Sequence, residues 1–209
     1  FADQVPGGGE LNNQVFIEKV SSLGHKVVKA RSHQVSKAQI NQANFIVVAN
    51  FINLPDEIKD YLSTKKYIIY EHDHKYLRSR NPAQHENYIA PQELIINYSF
   101  YEKAVSVFCQ SDFHAKIVQD NLKLNNIKSL GGNLWSDQHL EVIQDMAKTQ
   151  KRPYCAIMQS STPHKNTKEA IMYCKSRDLP YRLIPPASPT DFLMDLGQYD
   201  TPRHSPESL

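Results

Sequence analysis

Short apolar runs alternate with longer amphipathic stretches along most of this chain, the pattern of a parallel sheet wrapped by helices. Leu11, Val15, Phe16, Val20 and Leu23 recur at helical spacing, and Gly24 stands where a helix C-terminus places its left-handed residue. A strand is expected at once over residues 26–30. Further strands are predicted over 44–49, 66–71, 105–109 and 127–130, with helices over 56–62, 92–104 and 112–122 between them. The runs at 44–49, 66–71 and 105–109 are almost unbroken in their apolar character, as parallel strands covered on both faces should be.

After Trp135 a helix-like stretch carries Leu140, Ile143, Met146 and Ala147 on one face and runs into the polar residues 148–153, where a linker is expected. A second alternation follows, with strands at 154–158 and 181–184 and helices at 167–176 and 191–196. Two rounds are too few for a stable sheet of their own. The expected fold class is therefore α/β, with one domain over 1–147 and part of a second over 148–209. The first residue is Phe1, and 202–209 is polar with Pro and no apolar period, so both ends read as incomplete.

Composition narrows the function classes. With 24 Lys plus Arg against 22 Asp plus Glu, the formal charge of +2 gives no field strong enough to argue for a nucleic acid or a membrane surface, and no nucleic-acid partner is expected. Cys109, Cys155 and Cys174 form no CxxC pair, and one must be left over from any intramolecular pairing, so a reducing cytoplasm is the expected location. The apolar runs fall far short of the roughly 20 residues of a membrane-spanning helix, and no transmembrane segment is expected.

Three constellations carry candidate chemistry. Val5-Pro6-Gly7-Gly8-Gly9-Glu10 leads into the first helix; its glycines would let backbone approach a ligand, and a helix start favours an anion such as a diphosphate. A plain flexible turn reads equally well. The second is Tyr70-Glu71-His72-Asp73-His74-Lys75-Tyr76, followed by Arg78, Arg80 and Pro82, at the end of a predicted parallel strand where open α/β sheets collect ligand groups. Strand alternation would put His72 and His74 on one side and Glu71 and Asp73 on the other, leaving a His-x-His metal pair, a metal-free polar site and a surface charge cluster all open. The third runs from Met158-Gln159-Ser160-Ser161 through His164-Lys165-Asn166 between a strand and a helix. Its Ser and Thr would serve as helix caps, while Lys165 at a helix start is opposed by the dipole unless a phosphate binds there.

Taken in order, the Gly-rich loop, the first helix, Leu23-Gly24-His25-Lys26-Val27, the strand-terminal His72, Cys109-Gln110-Ser111-Asp112-Phe113-His114 and Lys165-Asn166 resemble the retaining GT-B glycosyltransferases. Glu71-His72-Asp73 with Arg80-Asn81-Pro82 is similar to phage-like and environmental members. The likeness extends over residues 1–200 through short motifs. It implies two Rossmann-like domains, the first holding mainly the acceptor and the second mainly the nucleotide-sugar donor. Gly7, Gly8 and Gly9 match the loop that approaches the donor phosphates, and His72 matches the histidine that contacts the donor sugar. Lys165, with Asn166 beside it, matches the lysine that neutralises the diphosphate. Gln159 stands where the family has an arginine. Glu207 matches the first carboxylate of the family's Glu-x7-Glu motif, whose second is absent, and a family strand expected between Asp200 and Pro202 is read as missing.

The expected function is transfer of a sugar from a nucleotide-sugar donor to a saccharide or other small acceptor, with retention. His72 and Glu207 are the expected catalytic residues, and Gly7, Gly8, Gly9, Gln159, Lys165 and Asn166 the donor-binding ones. No cofactor and no metal are expected. Two alternatives are a non-catalytic nucleotide- or sugar-binding remnant and a metallohydrolase built on His72, Asp73 and His74.

Overall fold

The computed structural model describes residues 7–162 and 165–202, and the chain folds as two compact units. One spans Asn12–Leu134; the other takes the chain from Trp135 onward together with the residues before Asn12.

Within the first unit, β1 (Ile46–Val48), β2 (Tyr67–Glu71), β3 (Ser106–Cys109) and β4 (Ile127–Ser129) form a four-stranded sheet in that order. Every pairing is parallel, with Ile46 opposite Tyr67, Ile69 opposite Val107 and Cys109 opposite Ser129. All five residues of β2 are buried, as its apolar run predicts, whereas the edge strand β1 is only partly covered. The core gathers Phe51, Tyr67, Ile69, Tyr76, Tyr101, Val107, Val118 and Leu122.

The helices start where local chemistry favours it. Helix α1 (Gly8–Ser22) ends before Gly24, whose φ of 87° is left-handed as expected. Ser36 and Gln39 form a reciprocal capping box on α2 (Lys37–Gln42). Helix α3 spans Asp56–Leu62, and α5 spans Asp112–Leu122 with the Ser111 hydroxyl accepting from the His114 N–H at 3.1 Å.

Two expectations fail here. Residues 26–30 form no strand: Val28 is 69% exposed, and the flanking Lys26 and Lys29 could not be buried on a second sheet face without partners. The helix expected over 92–104 is broken. Only a 3-10 turn at Gln92–Leu94 and the short α4 (Tyr98–Glu102) remain. Between them Ile95 bridges Leu77, the Ile96 N–H donates to the Tyr76 carbonyl at 2.7 Å, and left-handed Asn97 donates to the Lys75 carbonyl at 2.9 Å. Pairing with residues 75–77 thus takes the backbone groups that would have continued the helix.

In the second unit, β5 (Arg152–Met158) lies between β6 (Tyr181–Ile184) and β7 (Tyr199–Pro202), again all parallel. The strand read as missing near residue 200 is therefore present as β7. Its sequence has almost no apolar period, and pairing with β5, which begins where the Arg152 N–H meets the Gln198 carbonyl at 2.7 Å, supplies what local pattern does not. Strand alternation gives β5 two buried faces: Cys155 and Ile157 pack with Ala170 and Cys174 of α7 (Thr167–Ser176), while Ala156 packs with Ile184 and Tyr199. The three cysteines are free and buried.

Helix α6 (Asp137–Lys148) packs on α8 (Pro189–Leu196), and the Lys151 ammonium donates to the carbonyls of Met146 and Gly197 at the two helix ends. A Cβ at Gly197 would stand 2.6 Å from the Met146 Cβ. Gly197→Ala should accordingly lower stability by roughly 1–3 kcal/mol through overpacking. Urea melts check this, and an unchanged midpoint would mean that the two helix ends separate freely.

Candidate functional site

The carboxyl end of β2 carries a buried ionic cluster. Glu71 is fully buried, and its Oε1 accepts from the N–H groups of His72 and Asp73 at 3.0 Å each and from the Lys75 ammonium at 3.2 Å. The Tyr101 hydroxyl donates to the other carboxylate oxygen. Lys75, also buried, reaches Asp73 as well, and Asp73 in turn accepts from Arg80 at 3.0 Å. Two carboxylates and two cations thus balance: Glu71 and Lys75 are buried and partnered, which is the condition for burying them at all, while Asp73 and Arg80 carry the cluster out to solvent. Burial alone would raise the Glu71 carboxyl, but the Lys75 ammonium, the Tyr101 hydroxyl and the Asp73 N–H outweigh it and hold the carboxyl at about 2. Burial lifts the Tyr101 hydroxyl and the Cys109 thiol well above their ordinary ranges, so both stay protonated.

The alternation expected of residues 71–74 ends with the strand. Beyond Glu71 no ladder holds the pleat, and His74 turns left-handed at φ 55°. His72 goes one way: its ring packs on Tyr70 at 4.5 Å and its Nε2 lies 2.8 Å from Asn13 Oδ1 on α1. His74 goes another, packing on His114 of α5 at 4.4 Å and edge-on to Tyr76 at 5.6 Å. Burial and the neighbouring His114 push the His74 imidazole down to about 4, and burial lowers His114 too, so both rings are neutral near pH 7. The two histidines of the expected His-x-His pair therefore face different neighbours, and among the described residues no three His, Cys, Asp or Glu side chains come together to hold a metal ion.

Helix α1 is pinned at this end of the sheet by Asn12, buried, which donates to Asn133 Oδ1 and the Leu134 carbonyl at 3.3 Å each and accepts from the Tyr70 hydroxyl. That fixes Asn13 beside His72. Neither Asn13 nor Tyr101 was among the sequence candidates; the one available hint was the polar run Asn12-Asn13-Gln14 next to an apolar helical stripe.

The remaining expected residues are distributed as follows. Gly7 precedes α1, and Gly8 and Gly9 form its first turn instead of a free loop. Space is open where a Cβ at Gly8 would lie. Gln159, Lys165 and Asn166 follow β5 in the other unit. The Gln159 N–H donates to the Ile184 carbonyl at 2.8 Å, exposed Lys165 lies in a turn whose N–H donates to the Thr162 carbonyl at 3.0 Å, and left-handed Asn166 precedes α7 without a side-chain cap. Thr167 closes this turn, accepting from the Ser160 N–H at 3.1 Å and donating to the Met158 carbonyl at 2.9 Å. Glu207, Val5, Pro6 and His164 lie outside the described residues.

A separate cavity of about 280 Å³ is lined by Asp56, Lys59, Asn97 and Lys103 on α3 and α4. Lys59 is already satisfied there by Asp56 at 2.9 Å and Asn97 at 3.4 Å, so the strand-end cluster is the stronger candidate. The chain matches no protein-family model, no curated protein and no solved structure.

Proposed function

We propose that this chain transfers a sugar from a nucleotide-sugar donor to a saccharide or other small acceptor, with retention and without a metal ion, on a GT-B-like pair of Rossmann-like units. The observation that carries the reading is His72, set at the carboxyl end of a buried parallel strand, its N–H held by Glu71 and its imidazole by Asn13. The ring is held in one place, as contact with a donor sugar requires. Lys165, together with the uncapped first turn of α7, serves the diphosphate leaving group, where negative charge grows as the glycosidic bond breaks. Gly8, with open space where a side chain would stand, and Gly9 beside it form the first turn of α1, which serves the donor phosphates.

Calorimetric titration with nucleoside diphosphates and a transfer assay separate these roles. Lys165→Ala should weaken nucleoside-diphosphate binding by about 10- to 150-fold, the worth of one charge-assisted contact. His72→Ala should leave that binding almost unchanged and reduce transfer on the order of 100-fold. Equal loss of nucleotide affinity in both variants would refute the division of labour.

Gln159 supports a second reading, in which the chain binds a nucleotide or sugar without turning it over, because it brings no charge to the position where the resemblance expects an arginine. Tight nucleotide binding with no transfer to any acceptor would favour it.

A further inference from the structure

The chain carries 22 acidic residues, yet none lies between Lys19 and Pro55, while that stretch holds Lys19, Lys26, Lys29, Arg31 and Lys37 with His25 and His33 among them. The structure adds an unexpected placement. Residues 26–30, which read as a strand, lie outside the sheet and run over the surface, pinned by Lys29 to Gln14 at 3.1 Å and by Ser32 to the Asn50 carbonyl at 2.5 Å. On this one continuous piece of chain Leu23 is 77% and Val28 69% exposed. Lys26 and Arg31 form no ion pair among the described residues.

We propose that residues 23–31 are a contact surface for an anionic lipid bilayer, with Leu23 and Val28 entering the interface while Lys26 and Arg31 meet headgroup phosphates. Cations and large aliphatic side chains on the same nine positions are what a charged interface with an apolar interior selects: the first are drawn by the surface potential and the second leave water. A nucleic acid fits less well, since a phosphate backbone offers nothing to an exposed leucine and valine and the segment holds no Phe, Tyr or Trp for stacking. A second copy of the chain fits less well again. Strand pairing through this segment would set lysines against lysines, and like charges across a ladder are destabilising. The formal charge of +2 leaves the rest of the molecule close to neutral, so this local run decides the encounter.

The proposal is independent of sugar transfer, and its test needs no activity. The whole chain is co-sedimented with vesicles of mixed phosphatidylglycerol and phosphatidylcholine and, in parallel, of phosphatidylcholine alone. Binding is expected to the mixed vesicles only and should weaken as salt is raised. The double charge reversal Lys26→Glu with Arg31→Glu should reduce the partition coefficient by at least about 30-fold, roughly fivefold for each of the two cations lost near the surface, with repulsion of the new carboxylates adding to it. Leu23→Ser with Val28→Ser should reduce it by about 10-fold while leaving its salt dependence in place. Thermal midpoints establish that each variant is folded, and Lys26→Gln with Val28→Thr replaces any variant that is not. Failure to bind mixed vesicles at low salt would overturn the proposal. So would retention on a DNA duplex that is lost with the charges but indifferent to Leu23 and Val28, or self-association abolished by the same substitutions.

Discussion

Lys75→Met should cost about 3–5 kcal/mol of stability near pH 7, the largest loss expected from a single substitution in the first unit. The ammonium is buried beside two carboxylates, one fully buried, and its Cα-side carbonyl is held by Asn97. Removing it leaves Glu71 with a hydroxyl and two N–H donors but no counter-charge in a site closed to water. The carboxyl then escapes part of the penalty by taking up a proton. This gives the prediction a second, independent signature. In the native chain Glu71 has a depressed pKa of about 2, so its contribution is complete above the ordinary carboxyl range and is lost as pH falls toward 2. In Lys75→Met its pKa is raised instead, so the folded state binds the proton more tightly than the unfolded chain, and the deficit should shrink as pH is lowered toward 4. Adding Glu71→Gln to Lys75→Met should recover part of the loss, because a neutral amide needs no buried partner charge. Urea melts of the two single variants and the double variant at pH 7 and pH 4.5 check all three statements. A Lys75→Met variant within 1 kcal/mol of the native chain would mean that water reaches the cluster.

Acidification supplies the second large effect. Stability should fall by roughly 2–3 kcal/mol between pH 7 and pH 4.5 on account of His74 alone. Its folded pKa of about 4 lies below the ordinary histidine value of 6.5, so across that interval the unfolded chain holds a proton that the folded chain refuses. The sign follows: the stabilisation is whole above about pH 6.5 and drains away as pH drops toward 4. His114, lowered for the same reason of burial, adds to the slope. Protonating either ring puts a cation against the other imidazole at 4.4 Å and near Lys75, with only Glu71 and Asp73 to oppose it. His74→Asn is the control of choice. Asparagine tolerates the left-handed backbone at this position and does not titrate, so the variant should show a flatter profile over the same pH range. A profile as steep as that of the native chain would assign the acid sensitivity elsewhere.

Much of the candidate site could be read from residue order. A strand of unbroken apolar residues ending in Glu71-His72-Asp73-His74 announces a polar cluster at the carboxyl end of a parallel sheet, and the cluster is there. What each member touches could not be read. Alternation predicts facing only while a ladder holds the pleat, and beyond Glu71 it does not, so His72 and His74 part company. Tyr101 lies 30 residues from Glu71 and Asn13 lies 59 from His72, separations at which no local pattern signals contact.

The same boundary runs through the fold. Helices α3, α5 and α7 and strand β6 occupy the residues that apolar period and turn chemistry indicate, because a capping serine, a left-handed C-terminal residue and an amphipathic repeat act within one or two turns of chain. The parallel order of β1, β2 and β3 was likewise implied by apolar runs that need cover on both faces. Three features went the other way. Residues 92–104 favour a helix locally, but the hydrogen bonds of Ile96 and Asn97 to the 75–76 backbone divide it. Residues 199–202 show little apolar period and become β7 because β5 has an edge to complete. Residues 26–30 read as a strand from their apolar content and find no place in the sheet, since their lysines would enter it unpartnered. Local free energies of a few tenths of a kcal/mol per residue choose an element when nothing else acts on it; a buried backbone group left without a partner costs about 1–3 kcal/mol, so where the two conflict the tertiary pairing prevails.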